Sequence, residues 1–260
     1  MINEEFEINV KKLYSLLDLK YKSVGVKMIK SKEEYDSYSA LEIKNTINYC
    51  GAVRAASKGN SIKICKGKFK CKSAERIFGI DDRDPLNSTG ENWFKLGLYK
   101  DMETAKKVRL SQSTLENNYG VLIMPIENFK KMPDLVLIFD NPYIMMRISQ
   151  SYSYTYGSVS NKRSIGNQAV CYESTMLALE NNEINFSLLC IGTRHRANWS
   201  VNDMSVGIPK SKFNDLILGL EKTMNIMEND ENKKKILKKY AENNLGEIKC
   251  EFGYNYYKSC

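Results

Sequence analysis

Seven cysteines stand in a chain that has a single histidine, His195, so a site built from soft or titratable ligands would have to be built mainly from sulfur. Four of the seven fall into a pattern. Cys50 and Cys71 are separated by 21 positions (50 to 71), and Cys171 and Cys190 by 19 (171 to 190). Between the members of each pair the residues run through the same order of short helix, turn and strand: CGAVRAASKGN then SIKIC, and CYESTMLALENN then INFSLL. Thiolates are soft ligands that select iron–sulfur clusters, zinc or Cu(I). Cys50 and Cys171 each open a predicted helix, where unpaired backbone N–H groups and the helix dipole favour a thiolate. A free cysteine is also a good core filler. The repetition of the spacing favours the ligand reading for these four.

A 4Fe–4S cluster ranks first and zinc second, because structural zinc usually takes one closely spaced cysteine pair and this sequence offers none. Cys65 lies just upstream of Cys71 in CKGKFKC and is an alternative ligand or a neighbouring reactive thiol. Cys250 and Cys260 belong to the aromatic tail EFGYNYYKSC, lack counterparts and are read as incidental. If one of the four were not a ligand, an open iron position would permit Lewis-acid chemistry.

The elements that must position these thiols are short and alternate between strand and helix. EEFEINVKKLYSLLD carries Phe6, Val10, Leu13 and Leu17 at helical spacing, and SVGVKMI is a strand. SKEEYDSYSALEIKNT is expected to be helical in part, the Cys50 helix ends at Gly59, and KSAERIFG follows Cys71. LVLIF opens a second series. YGVLIMPIENFKK and MSVGIPKSKFNDLI each read as strand, Pro and helix. The expected architecture is α/β or α+β in one compact unit spanning 1–260. Two similar halves, approximately 20–133 and 134–225, are related by a pseudo-twofold axis, with added helices at both ends and a C-terminal helix and tail over 226–260. Such an axis would make Cys50 face Cys171 and Cys71 face Cys190 at the junction, where deep sites form.

Two other segments bear on a ligand. ISQSYSYTYGSVSNKRSIGNQAV, leading into Cys171, reads either as a substrate-binding loop presenting Tyr152, Tyr154 and Tyr156 or as an edge strand with Tyr and Ser alternating. In GTRHRAN, Arg194 follows the last cysteine as a candidate substrate contact, and His195, flanked by Arg194 and Arg196, offers either an anion contact or a surface residue. His195 is read as a surface residue of a basic loop.

Composition narrows the class. The chain has 260 residues, 42% hydrophobic and 27% charged, which is ordinary for a globular protein. The net charge of +8 is spread through every segment, and the densest lysine run lies in a helix rich in Asn and Glu, so it is read as a solvated face rather than a nucleic-acid footprint. No apolar run reaches the roughly 18 residues of a membrane helix. The acidic N-terminus is unlike a secretory signal, and a cytoplasmic location is expected, where thiols stay reduced. No Walker A loop, GxGxxG or GxSxG is present.

The run of VGVKMI, CGAVRAASKG around Cys50, Cys71, DLVLIFDNPYIMMR, Cys171, LLCIGTR and GIPKSKFNDLILGL resembles domain-of-unknown-function family 169, found in archaea and in anaerobic and other bacteria. The resemblance runs from about Leu16 to Leu220. It carries over Cys50, Cys71, Cys171, Cys190 and Arg194. Here KCKSAERIFG replaces the family's Gly-rich surroundings of the second cysteine, keeping Gly79. The resemblance implies a fold and a site but no reaction. The expectation is therefore a cytosolic iron–sulfur protein with redox, sulfur-related or small-molecule chemistry and a small-molecule or redox partner. The alternative is a binding module with structural zinc or core cysteines. A homo-oligomer is left open.

Overall fold

Strand residues that alternate strictly between two apolar environments define the architecture. The computed structural model describes residues 4–81, 89–160 and 162–253. Its strands are β1 (Val24–Ile29), β2 (Leu41–Glu42), β3 (Ile62–Cys65), β4 (Gly120–Pro125), β5 (Leu135–Asp140), β6 (Asn185–Ser187) and β7 (Met204–Pro209). They form one seven-stranded sheet in the order β2-β3-β4-β1-β5-β7-β6. Only the short β2–β3 pairing is parallel. In the centre β1 and β5 run antiparallel, with Val24 opposite Leu137 and Val26 opposite Leu135. Outward from them, Val24 faces Pro125 on β4 and Leu135 faces Pro209 on β7. Farther out still, Ile62 faces Ile123 and Asn185 faces Gly207.

Val24, Val26, Ile62, Ile64, Val121, Ile123, Leu135 and Leu137 enter one core. Leu122, Met124, Val136, Ile138, Val206 and Ile208 enter another. A period of two places these sets on opposite faces, and both faces are covered, so the central strands read as continuous apolar runs. The second face is covered by α1 (Glu4–Leu16), α7 (Pro142–Tyr156), α9 (Lys210–Met227) and α10 (Asp230–Glu242). The first face is covered by shorter pieces: α3 (Tyr49–Ala56), α4 (Lys72–Ile77) and the π-helices π1 (Ala169–Met176) and π2 (Gly192–Arg196). α2 (Lys32–Ser37), α5 (Glu91–Lys95), α6 (Met102–Leu110) and α8 (Leu177–Asn181) complete the helices considered below. Among the described residues no helix is long and apolar enough to cross a membrane.

Most expected elements are present, and α7 corrects one. The segment containing Tyr152, Tyr154 and Tyr156 is neither loop nor strand but the last turn and a half of a helix. Asn141 caps it by accepting from the Ile144 N–H, Pro142 occupies the first turn, and Ile144, Ile148 and Tyr152 recur at four-residue spacing on the buried side. The tyrosine–serine alternation suggests a period of two. The apolar period of the preceding turns prevails, and Tyr152 and Tyr156 stack one turn apart, ring centroids 4.8 Å from each other.

Close backbone approach on each face depends on glycine. A Cβ on Gly207 of β7 would stand 1.6 Å from the Ser174 carbonyl oxygen of π1. One on Gly219 of α9 would stand 2.1 Å from the Ser151 carbonyl oxygen of α7.

Candidate functional site

The first face of the sheet carries all four cysteines of the pattern. Cys50 is the second residue of α3, and Cys71 immediately precedes α4. Cys171 is the third residue of π1, and Cys190 precedes π2, whose Arg194 N–H donates back to the Cys190 carbonyl at 3.0 Å. α3 packs against both π-helices, and α4 packs against π1. Cys171 is buried within this core, and Cys50, Cys71 and Cys190 are half-buried against it.

Each thiol in this set lies within electrostatic reach of the other three. Burial pushes the Cys50 thiol up to about 12, and the neighbouring Cys190 and Cys71 add to the effect. Cys71 is raised by burial and by Cys190, against the backbone N–H groups of Ala74 and Ser73 and the Arg196 guanidinium, which favour its thiolate. Cys171, the most enclosed, is raised well above the ordinary thiol range by burial, then by Cys71, Cys190 and Cys50. Cys190 is the thiol that raises Cys71, and Cys50 is among the three that raise Cys171, so all four influence one another.

Local geometry around the later pair is unusual. π-Helical turns are rare and often mark functional sites. π1 begins at Gln168, which has φ 56°, and Leu189, next to Cys190, has φ 65°, a left-handed conformation that a bulky apolar residue adopts only under constraint. Glu173 supplies part of that constraint. Its buried carboxylate accepts from the Ile165 and Gly166 N–H groups (2.7 and 3.2 Å), from Ser164 Oγ (3.0 Å) and from Ser187 Oγ. This ties π1 to the loop before it and to β6. Cys190 Sγ is 3.2 Å from Thr193 Oγ1, and Cys171 Sγ is 3.7 Å from the Gln168 carbonyl oxygen.

The remaining candidates lie elsewhere or are otherwise engaged. Cys65 ends β3 with its side chain toward the second core, where it adjoins Tyr35. Cys250 packs on that face too, and Cys260 lies outside the described residues. Tyr152 and Tyr156 also belong to the second core, donating to Glu183 and Asp215, while Tyr154 is exposed. The three tyrosines therefore sit on the opposite side of the sheet from the cysteines. Arg194 is spent on backbone carbonyls, those of Ser200, Leu188 (2.6 Å) and Asp203 (3.2 Å), and closes the turn after π2. His195 is exposed, as expected.

Sequence reasoning missed a set of cationic and aromatic groups on the cysteine-bearing face. Arg54, one helical turn beyond Cys50, lies against both the Tyr21 and Trp199 rings, 4.4 and 4.5 Å from their centroids. Its Nε and Nη1, Trp199 Nε1 and Arg76 Nη1 are buried without hydrogen-bond partners. The spacing of Arg54 to Cys50 was a usable signal, since residues four apart share a helix face. Trp199 offered none. Among the described residues, no three His, Cys, Asp or Glu side chains are gathered closely enough to hold one metal ion.

The uncharacterised protein MJ0308 of Methanocaldococcus jannaschii is 28% identical to the chain over 222 residues, covering 84% of this chain and 94% of that protein. No solved structure matches the chain. The family model described as "Uncharacterised ArCR", domain-of-unknown-function family 169, matches residues 12–219. That span takes in the whole sheet and all four converging cysteines, and the chain belongs to this family.

Proposed function

We propose that this is an iron–sulfur protein in which Cys50, Cys71, Cys171 and Cys190 hold a 4Fe–4S cluster, with redox, sulfur-related or small-molecule chemistry at the junction of two similar halves. The observation that carries the reading is the convergence of four thiols, far apart in sequence, each within electrostatic reach of the others. Cys65 and Cys250, outside the pattern, lie on the other face.

The residues fit such a group in two respects. Thiolate sulfur is the usual ligand of iron–sulfur clusters. Backbone N–H groups of Gly51, Ser73 and Ala74, together with the Arg196 guanidinium, favour the anionic form of Cys50 and Cys71 that a metal needs. Burial keeps the free thiols protonated, so loading is coupled to proton release. When bound, the cluster supplies one-electron transfer, or Lewis-acid chemistry if one iron lacks a protein ligand.

The two-halves reading is supported by the sheet. Replacing β1, β4 and β3 by β5, β7 and β6 turns the pair Val24–Pro125 into Leu135–Pro209, and Ile62–Ile123 into Asn185–Gly207. The same replacement turns the central pair Val24–Leu137 into Leu135–Val26, which is also a pair of the sheet.

Purification without oxygen, followed by iron, sulfide and zinc analysis, tests the proposal. A brown protein with near-equal iron and acid-labile sulfide is expected, and Cys50→Ser and Cys171→Ser should each lose most of both. A colourless protein carrying one zinc per chain, or either serine variant loading iron like the parent, overturns it.

A further inference from the structure

Arg109, on α6, is 2% exposed and among the described residues has no carboxylate partner. The fold's other fully enclosed arginine shows what burial normally demands. Arg147 donates through Nε to Glu228, through Nη1 to Thr223 Oγ1 (3.1 Å) and through Nη2 to the Leu220 carbonyl (3.4 Å). Arg109 donates only through Nη1, to Gln112 Oε1. Its Nε and Nη2 are buried and unpartnered. These two nitrogens share one edge of the guanidinium, the edge that presents two parallel N–H bonds to a carboxylate or phosphate.

The neighbours are oriented to the same end. With its oxygen taken by Arg109, Gln112 donates through Nε2 to Gln168 Oε1 at 2.6 Å. That contact leaves Gln168 Nε2 buried and without an acceptor. The Trp93 ring lies against the guanidinium, 5.6 Å from its carbon, and Tyr99 packs on Trp93 with a buried hydroxyl that has no partner. The carboxylate near Tyr99, that of Glu173, is already bound to two backbone N–H groups and two serine hydroxyls. A buried cation beside an unpaired amide donor is costly unless an anion completes it.

We infer that Arg109 and Gln168, with Tyr99 beside them, form a binding site for the oxyanion group of a small molecule, a carboxylate or phosphate held bidentately by Arg109 Nε and Nη2. The site adjoins the cysteines: Gln168 heads π1, and its carbonyl lies against Cys171 Sγ. The bound end of the ligand would sit one turn from that thiol. The inference stands whether or not the cysteines carry a cluster.

The test is thermal unfolding of the full chain in sodium acetate, sodium phosphate, and sodium chloride at matched ionic strength. At about a hundred times its Kd, the matching oxyanion should raise Tm by roughly 5–10 °C, and chloride should not. The anion that acts tells carboxylate from phosphate. Arg109→Lys keeps the charge and loses the two-pronged edge, and Gln168→Asn keeps a residue tolerant of positive φ but shortens the amide. Each should need at least tenfold more probe for the same shift. A parent protein stabilised no more by either oxyanion than by chloride, or Arg109→Lys responding like the parent, overturns the inference. Should Arg109→Lys not fold, equilibrium dialysis of acetate and phosphate against the parent and Gln168→Asn decides, and absent or unchanged saturable binding refutes it. Cys50→Ser should keep the oxyanion response even where it loses iron, which separates failure of this site from failure of the cluster.

Discussion

Replacing Gly207 by Ala tests how the cysteine-bearing π-helix is held. The new Cβ would stand 1.6 Å from the Ser174 carbonyl oxygen. An ordinary contact is about 3.5 Å, so β7 and π1 must separate by about 2 Å. Neither side can yield by a rotamer change, because the clash joins a Cβ to a backbone oxygen. β7 is fixed between β5 and β6, with Gly207 opposite both Leu137 and Asn185, so π1 is the element that moves. Overpacking costs about 1–3 kcal/mol, and a backbone clash belongs at the upper end. For a chain of this size about 3 kcal/mol lowers Tm by about 6–12 °C. Gly219→Ala is the matched control. Its Cβ would stand 2.1 Å from the Ser151 carbonyl oxygen, where α9 crosses α7 on the face away from the cysteines. Both variants should lose comparable stability in scanning calorimetry. Only Gly207→Ala should also lose iron on loading and speed the alkylation of Cys171 in metal-free protein. The coupling of π1 to the cysteine site is refuted if Gly207→Ala unfolds early yet loads iron and protects Cys171 like Gly219→Ala.

Other outcomes follow from the same geometry. Cys65→Ser and Cys250→Ser should leave iron and sulfide content unchanged, since both side chains lie on the other face; metal analysis of the two purified variants checks this. Glu228→Gln leaves the fully buried Arg147 without its anion and should cost about 3–5 kcal/mol in denaturant unfolding, whereas Arg147→Met paired with Glu228→Gln should cost less than the two single changes combined. Alkaline stability should report two tyrosines. Burial, then the hydrogen bond to Glu228, raises Tyr143 from 10.0 to about 12, and burial, then Asp215, does the same for Tyr156. A folded-state pKa above the unfolded value favours the fold fully below pH 10, and that contribution is lost as pH rises toward 12. Tyr143→Phe and Tyr156→Phe should each flatten the fall of Tm between pH 10 and 12.

The cysteine pattern was legible because the helix–turn–strand order recurs around it, and the order of elements decides which thiols can meet. How the four thiols are arranged around one another was not, since element order alone says nothing of how two short loops cross a sheet end. The α7 error has a local cause. Tyr152, Tyr154 and Tyr156 alternate with serines, but Ile144, Ile148 and Tyr152 continue at four-residue spacing, and burial against α9 selects the second period. The π-helices escaped for a different reason. CYESTMLALENN is an ordinary helical sequence, and the groups that hold it lie outside it: Gly207 in close approach, and Ile165, Gly166 and Ser187, which donate to the Glu173 carboxylate. Arg109 was hidden because an arginine in METAKKVRL reads as a solvated residue unless its burial is known.

The two faces of the sheet treat buried charge differently, and the difference bears on where a ligand belongs. On the second face, Arg147 is paired with Glu228, Lys63 Nζ donates to the Tyr35 and Tyr38 carbonyls at 3.0 and 3.1 Å, and Lys233 Nζ donates to the Glu251 carbonyl at 2.7 Å. Each of those cations has acceptors of its own. The unpartnered buried side-chain nitrogens of the described residues belong to Arg54, Arg76, Arg109, Gln168 and Trp199. Arg54, Arg76 and Trp199 lie on or against the cysteine-bearing core, and Gln168 links Arg109 to the head of π1. Native interiors leave few such groups unpaired. Unpartnered oxygens occur as well, at Ser23, Tyr99 and Asn118, but a surplus of unpartnered nitrogens beside the cysteines is what a face built to receive anions would show. Cluster thiolates and a ligand oxyanion would both meet that surplus, and their removal should therefore destabilise the first face while leaving α7, α9 and α10 intact. Hydrogen exchange of the metal-free, ligand-free protein should find fast amides in α3, α4 and π1 beside protected amides in α9. Uniform protection across both faces would mean that the unpaired nitrogens are tolerated without a ligand.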